Sequence, residues 1–168
     1  MATRQPLVGI VMGSDSDLPT MQEAVAVLNE AGVPHEIRVL SAHRAPDATA
    51  QYAKSARRRG LRVLIAGAGG AAHLAGAVAA QTTLPVIGVP LAGTVFQGTD
   101  AFLATLQMPP GVPVATVSVG KWGAKNAGIL ALQILAVSDA KLARRLEQMK
   151  QTMRAAVLDK DRALQSRG

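Results

Sequence analysis

Ser41-Ala42-His43-Arg44 sets an imidazole, able to exchange a proton near neutral pH, beside a guanidinium that can grip an anion through a two-pronged fork. Two other stretches carry comparable chemistry. Gly13-Ser14-Asp15-Ser16-Asp17 offers the Ser14 and Ser16 hydroxyls together with the free N–H groups of a helix start, an arrangement that suits phosphate. Asp17 does not fit a phosphate role, because two anions repel; it can instead accept hydrogen bonds from ribose hydroxyls. The plainer alternative is that Ser16 or Asp17 caps the helix. Gly67-Ala68-Gly69-Gly70-Ala71-Ala72-His73-Leu74 lacks bulky side chains at its start, so backbone can approach a ligand closely. His73 either binds a ligand there or packs and hydrogen-bonds within the fold. A lone loop histidine is usually structural, but Ser41, Arg44 and its place after a strand mark His43 as a proton carrier.

Several chemistries lack the residues they need. There is no cysteine, so disulfides, thiolate ligands and cysteine nucleophiles are ruled out. The three histidines, His35, His43 and His73, show no metal-ligand spacing with carboxylates, and no metal is expected. No Gly-x-Ser-x-Gly elbow supports a serine hydrolase. The glycines after Ala66 are not followed by the lysine of a phosphate-binding NTPase loop. They only partly match a dinucleotide fingerprint, and the first βα turn, where that fingerprint belongs, has Gly13 alone. What remains is metal-free proton transfer on an anionic, phosphorylated small molecule.

Alternating strands and helices must position these groups. Leu7–Met12, His35–Leu40, Leu61–Ala66, Pro85–Val89 and Val112–Val119 read as strands, the last with a proline that places it near an edge. Helices are expected over about 18–31, 46–59, 71–81, 99–106, 124–136 and 139–164. Pro19 and Pro46 suit first turns, and Gly32 and Gly60 suit stops. Short connections between alternating elements predict an α/β fold, a three-layer αβα sandwich around a parallel five-stranded sheet. A flavodoxin-like order, 2-1-3-4-5, brings the first three strand ends, with all three loaded loops, to the switch point where ligands bind. Residues 1–168 read as one domain, with the charged C-terminal helix, 139–165, packing on a neighbouring subunit.

Composition narrows the partners. At 168 residues, 49% hydrophobic and 17% charged, the chain is too apolar to be disordered. A net charge of +7 raises nucleic acid as a partner, yet aromatics are only 2% of residues, too few for stacking platforms. Arg57-Arg58-Arg59 and Arg144-Arg145 read as solvated helix faces or ends. The positive charge is better suited to steering an anionic metabolite inward. Residues 1–6 show no secretory signal and no stretch reaches membrane-spanning length, so the expectation is a soluble, cytoplasmic protein.

Taken together, Met12–Asp17, Ser41–Arg44, Ala66–Leu74, Pro85–Pro90, Gln107–Val117 and Asn126-Ala127 resemble the N5-carboxyaminoimidazole ribonucleotide mutases of bacterial purine synthesis. The resemblance spans about residues 7–138, and several motifs in the right order make it specific. It implies transfer of a carboxylate from the exocyclic nitrogen to C4 of the imidazole ribonucleotide. CO2 is then a bound intermediate, and no metal, ATP or organic cofactor takes part. It implies His43 as general acid/base, Ser14, Ser16, Ser41 and Arg44 on the phosphate, and Asp17 on the ribose. Gly69, Gly70, His73 and Leu74 would line the base and carboxylate pocket. It also implies a homo-octamer.

Two regions depart from the family pattern. Ala92–Asp100 replaces a Ser-x-x-Leu-x-Gly-x-Asp pattern, keeping only Gly98 and Asp100, and Trp122 stands where a small residue is common. The nearest rival is the related aminoimidazole ribonucleotide carboxylase, which uses CO2 directly. Arg44 favours the mutase, since a lysine at that position is associated with the carboxylase branch. A non-catalytic nucleotide-binding module is the alternative of another class.

Overall fold

The computed structural model describes residues 5–166. Residues 1–4, part of the stretch read as lacking a leader, and residues 167 and 168 lie outside the described residues. Among the described residues the strands are β1 (Val8–Met12), β2 (His35–Val39), β3 (Val63–Gly69), β4 (Val86–Leu91) and β5 (Ala115–Thr116), of which β1, β3 and β4 are apolar runs. Between and after them lie α1 (Leu18–Ala31), α2 (Pro46–Ala56), α3 (Leu74–Ala79), α4 (Thr99–Leu106), α5 (Gly120–Ala136) and α6 (Ala140–Gln165). The strands form one parallel sheet in the order β2-β1-β3-β4-β5, with helices on both sides, as the alternation predicts.

The central strands are apolar throughout because both faces are covered. Val11, Leu64, Ala66 and Val86 point into a cluster with Tyr52 and Ala53 of α2 and Leu74, Ala75 and Val78 of α3. On the other face, a side chain at Gly67 would collide with the Met21 sulfur of α1 at 2.5 Å, so β3 and α1 approach as closely as glycine allows. Gly128 of α5 lies equally close to Ala24 and Val27 of α1, which puts α5 on that same face. Each fully buried side chain of this kind, such as Ile10, Leu28 or Ile65, contributes about 1.5–3 kcal/mol.

The chain forms two compact units that divide after Ala131. The sheet and α1–α4 belong to the first. The second holds the end of α5 and the 26-residue α6, which starts at Asp139, whose carboxylate accepts the Lys141 and Leu142 N–H groups at 2.9 and 3.0 Å. Residues 150–166 of α6 are exposed, apolar Met153, Val157, Leu158 and Leu164 included.

Several boundaries differ from the sequence reading. β3 runs on through Gly69, because the small residues after Ala66 keep pairing with β4 up to Gly69↔Leu91. The following helix starts at Leu74 rather than Ala71, since Gly70 and Ala72 take left-handed φ values of 61° and 44° that no helix accommodates. β5 holds two residues rather than eight: Pro113 has no N–H to offer a neighbour, and only Ala115 and Thr116 pair with β4. α2 ends at Ala56, three residues early, in a turn closed at Gly60. α5 begins at Gly120, four residues early, so Trp122 is helical and 81% exposed.

Candidate functional site

Parallel pairing brings the carboxyl ends of β1, β2 and β3 side by side, and backbone bonds carry the alignment into the loops beyond. Leu40 N–H reaches the Met12 carbonyl at 2.8 Å, and Gly13 N–H reaches that of Gly67 at 3.3 Å. The loops after β1 and β2 are then tied by Arg44, whose guanidinium donates to the Gly13 carbonyl at 3.0 Å. Ser41 braces the arginine: its hydroxyl oxygen accepts the Arg44 N–H at 3.2 Å and faces Nε at 3.5 Å. All these acceptors are neutral. The arginine is therefore positioned without being neutralised, which leaves its charge for an anion.

The first loop is one hydrogen-bonded knot. Ser14 caps a single 3₁₀ turn, Asp15–Asp17, and forms a reciprocal capping box with Asp17, whose carboxylate accepts the Ser14 N–H at 3.1 Å. Ser16 hydroxyl donates to Ser14 Oγ at 2.9 Å, and Ser14 hydroxyl donates to Asp15 at 3.1 Å. Of the two capping options the sequence left open, neither holds as stated: Asp17 precedes α1 without a side-chain cap bond, and Ser14 is the residue that caps. Burial raises the Asp17 carboxyl above the usual carboxylate range, Ser14 N–H opposes that rise, and Asp15 adds to it. Asp15 was not singled out from sequence. Its alternation with the serines was a visible signal.

The second and third loops meet through their histidines. His43 Nε2 lies 2.6 Å from His73 Nδ1, with the rings edge to face at 82°. One nitrogen must donate and the other accept, so this contact exists only while at least one imidazole is neutral. Both rings are exposed. A ligand that takes over His43 Nε2 therefore exchanges one solvent-accessible hydrogen bond for another, with little net penalty.

Gly69 and Gly70 close β3 beside these histidines. A side chain on Gly69 would press on the Leu91 carbonyl at 3.2 Å, and Gly70 holds φ +61°. Leu74 is 2% exposed and packs in the core cluster, so its side chain faces away from solvent and only its backbone remains to offer a ligand. Thus Ser14, Ser16 and Asp17 are joined by direct hydrogen bonds, Arg44 with Ser41 reaches that loop through the Gly13 carbonyl, and His43 meets His73, while Gly69 and Gly70 begin the third loop. Sequence reasoning missed the Gly13 carbonyl, because a backbone acceptor leaves no trace in residue type.

A second backbone feature marks the same end of the sheet. Among the described residues, the two non-glycine ones with left-handed φ, Ala72 and Gln97 at 51°, lie in the loops that follow β3 and β4. Such strain persists where surrounding contacts over-determine it, typically at sites of function. Among the described residues, no group of three or more His, Asp or Glu side chains is gathered as a metal cage, and no helix is long and apolar enough to cross a membrane.

Residues 7–156 match the family model described as AIR carboxylase. This chain belongs to that family. Over its full length it is 54% identical to an N5-carboxyaminoimidazole ribonucleotide mutase of Synechocystis, covering 94% of that relative. Over 92% of the chain it is 56% identical to the mutase of Bacillus subtilis, covering 96% of it. The crystal structure of Treponema denticola PurE superposes with a TM-score of 0.85 at 28% identity, covering 95% of this chain and 98% of the other. The expected family and fold both stand.

Proposed function

We propose that this chain converts N5-carboxyaminoimidazole ribonucleotide to 4-carboxy-5-aminoimidazole ribonucleotide in purine biosynthesis. The observation that carries the reading is the convergence of His43, Arg44 and the Ser14–Asp17 knot at one end of the sheet. It occurs in a chain more than half identical to named mutases. Arg44, Ser14, Ser16 and Ser41 bind the phosphate, and Asp17 accepts from the ribose hydroxyls. Ribose suits Asp17 for a physical reason: burial already disfavours its charge, so neutral hydroxyl donors relieve it where a phosphate would aggravate it.

In the reaction, the N–CO2 bond breaks and the exocyclic nitrogen takes a proton from His43. The released CO2 stays beside the Gly69-Gly70 wall, with His73 and the Leu74 backbone completing the pocket. The C4–C bond then forms, and the C4 proton returns to His43, leaving the enzyme unchanged. Atoms and protons balance within substrate and protein, so the scheme requires no metal, ATP or organic cofactor. A site able to exclude water favours recapture of CO2 over its hydration.

The protein acts in the cytoplasm as a homo-octamer. The apolar residues that α6 exposes, Met153, Val157, Leu158 and Leu164, suit packing on a neighbouring subunit, as does Trp122 in the other unit.

Purified protein is expected to convert the N-carboxylated substrate without ATP, metal or bicarbonate. Activity confined to aminoimidazole ribonucleotide plus bicarbonate would instead establish the carboxylase reading. Ligand binding without turnover of either would establish the binding module.

A further inference from the structure

Residues 92–100 follow β4 and lie against the third loop of the candidate site. The segment leaves β4 at Leu91, which pairs with Gly69, and the Thr94 methyl comes 3.7 Å from where a Cβ would stand on Gly70. The loop is folded by a compact clasp. Thr94 hydroxyl donates to one Asp100 carboxylate oxygen at 2.6 Å, while the other accepts the Ala101 N–H at 2.8 Å. Thr94 Oγ1 also accepts the Phe96 N–H at 3.2 Å, and the Thr94 carbonyl accepts Gln97 N–H at 3.1 Å. Two successive left-handed residues, Gln97 and Gly98, then turn the chain into α4. Gly93 carries no side chain, so Thr94 supplies the first hydroxyl of the loop.

We propose that the Thr94–Asp100 clasp fixes the 92–98 loop as the outer wall of the substrate pocket, making Thr94 and Asp100 positioning residues for the ring and carboxylate end of the substrate. This rests on the reading that Gly69 and Gly70 line that pocket. Gly70 presents no side chain, so the loop at position 94 is what stands next beyond the glycines, and that loop is exposed and depends on the clasp for its position. Holding that wall in place before substrate arrives removes an ordering penalty from binding. Thr94 and Asp100 touch no reacting atom in this scheme, so their loss should weaken binding more than the chemical step.

The test separates hydroxyl from methyl. Thr94→Val keeps the shape and removes the donor; Thr94→Ser keeps the donor. Thr94→Val should raise KM for N5-carboxyaminoimidazole ribonucleotide roughly five- to tenfold, the effect of one hydrogen bond, with kcat within about twofold. Thr94→Ser should restore KM to within about twofold of wild type. Amide hydrogen exchange over residues 95–97 should quicken in Thr94→Val and not in Thr94→Ser, while the thermal midpoint stays unchanged. Wild-type KM in Thr94→Val, or equal loss in both variants, would overturn the inference while leaving the mutase reading intact. Absence of turnover by the wild-type chain would overturn that reading and this inference with it.

Discussion

Arg44 and Arg59 stand toward opposite ends of the same sheet and are held in opposite ways. Arg59 faces Glu36 at 2.6 Å, stacks over the Tyr52 ring at 4.6 Å, and has its carbonyl bound by the Gln5 amide at 2.7 Å. Arg44 meets a backbone carbonyl and a serine hydroxyl. One charge is neutralised by a carboxylate and covered by an aromatic face; the other is aimed and left unneutralised. A guanidinium in a loop is thus a poor marker of an anion site until its partners are known. Arg44 is poised for a ligand, whereas Arg59 is structural.

The surroundings repeat the contrast. Near Arg59, the Tyr52 hydroxyl is buried with no hydrogen-bond partner within reach among the described residues, and burial, reinforced by neighbouring Glu36, pushes it well above its usual range. It lies where a side chain on Gly9 would be, which accounts for glycine in the middle of an apolar strand. Near Arg44, polar groups bind one another in short exposed chains that a ligand can enter.

The largest expected effect separates the two histidines at the site. His43→Asn should lower turnover by roughly 10² to 10⁴-fold, the usual worth of a general acid/base, while ligand still binds. His73→Asn removes a partner from an exposed hydrogen bond worth about 1 kcal/mol, so turnover should stay within about tenfold of wild type. Equal losses would show that the two rings act as a single unit.

Next in size is the arginine pair itself. Arg44→Ala should raise KM by roughly 10- to 100-fold, as expected for loss of a hydrogen bond to a charged group, with little change in thermal midpoint. Arg59→Met should do the reverse. KM stays fixed and the midpoint falls by a few degrees, about 1–2 kcal/mol once the partial exposure of the ion pair is allowed for. Exchange of these phenotypes would break the comparison.

The smallest effect is a pH dependence at Asp17. Its carboxyl binds a proton more tightly in the fold than in the unfolded chain, so ionisation disfavours the folded state. That penalty is absent below the ordinary value of 3.8 and grows as pH rises through the raised one. Asp17→Asn keeps an acceptor for Ser14 N–H and removes the charge. Its thermal midpoint relative to wild type should rise between pH 4 and pH 7, by about 1–2 °C, while substrate affinity falls. A constant difference across that range would assign the effect to packing.

Much of this molecule is legible in residue order, for reasons that differ between regions. A parallel sheet between helices follows from apolar runs alternating with capped helices, because parallel strands need crossovers; the order 2-1-3-4-5 is a fold-level choice that five strands permit and do not dictate. The three loaded loops were locatable because strand ends in such a sheet must gather at the switch point. Ends set by long-range geometry were not legible. β3 extends through Gly69 because β4 is there to pair with it, and Val112–Val119 mostly fails as a strand because only Ala115 and Thr116 come into register with β4. Ser14 as the cap, Leu74 in the core and Thr94 against Gly70 likewise depend on which neighbour arrives in space. Residue type alone does not encode that.

A crystal structure of His43→Asn holding the carboxylated ribonucleotide tests the phosphate role of Arg44 most directly. Phosphate oxygens should lie about 3 Å from the Arg44 guanidinium and the Ser14, Ser16 and Ser41 hydroxyls. Asp17 should then lie on the ribose, with C4 facing position 43. A phosphate seated instead on the basic face of α2, at Lys54, Arg57 and Arg58, with the Arg44 loop empty, would contradict it.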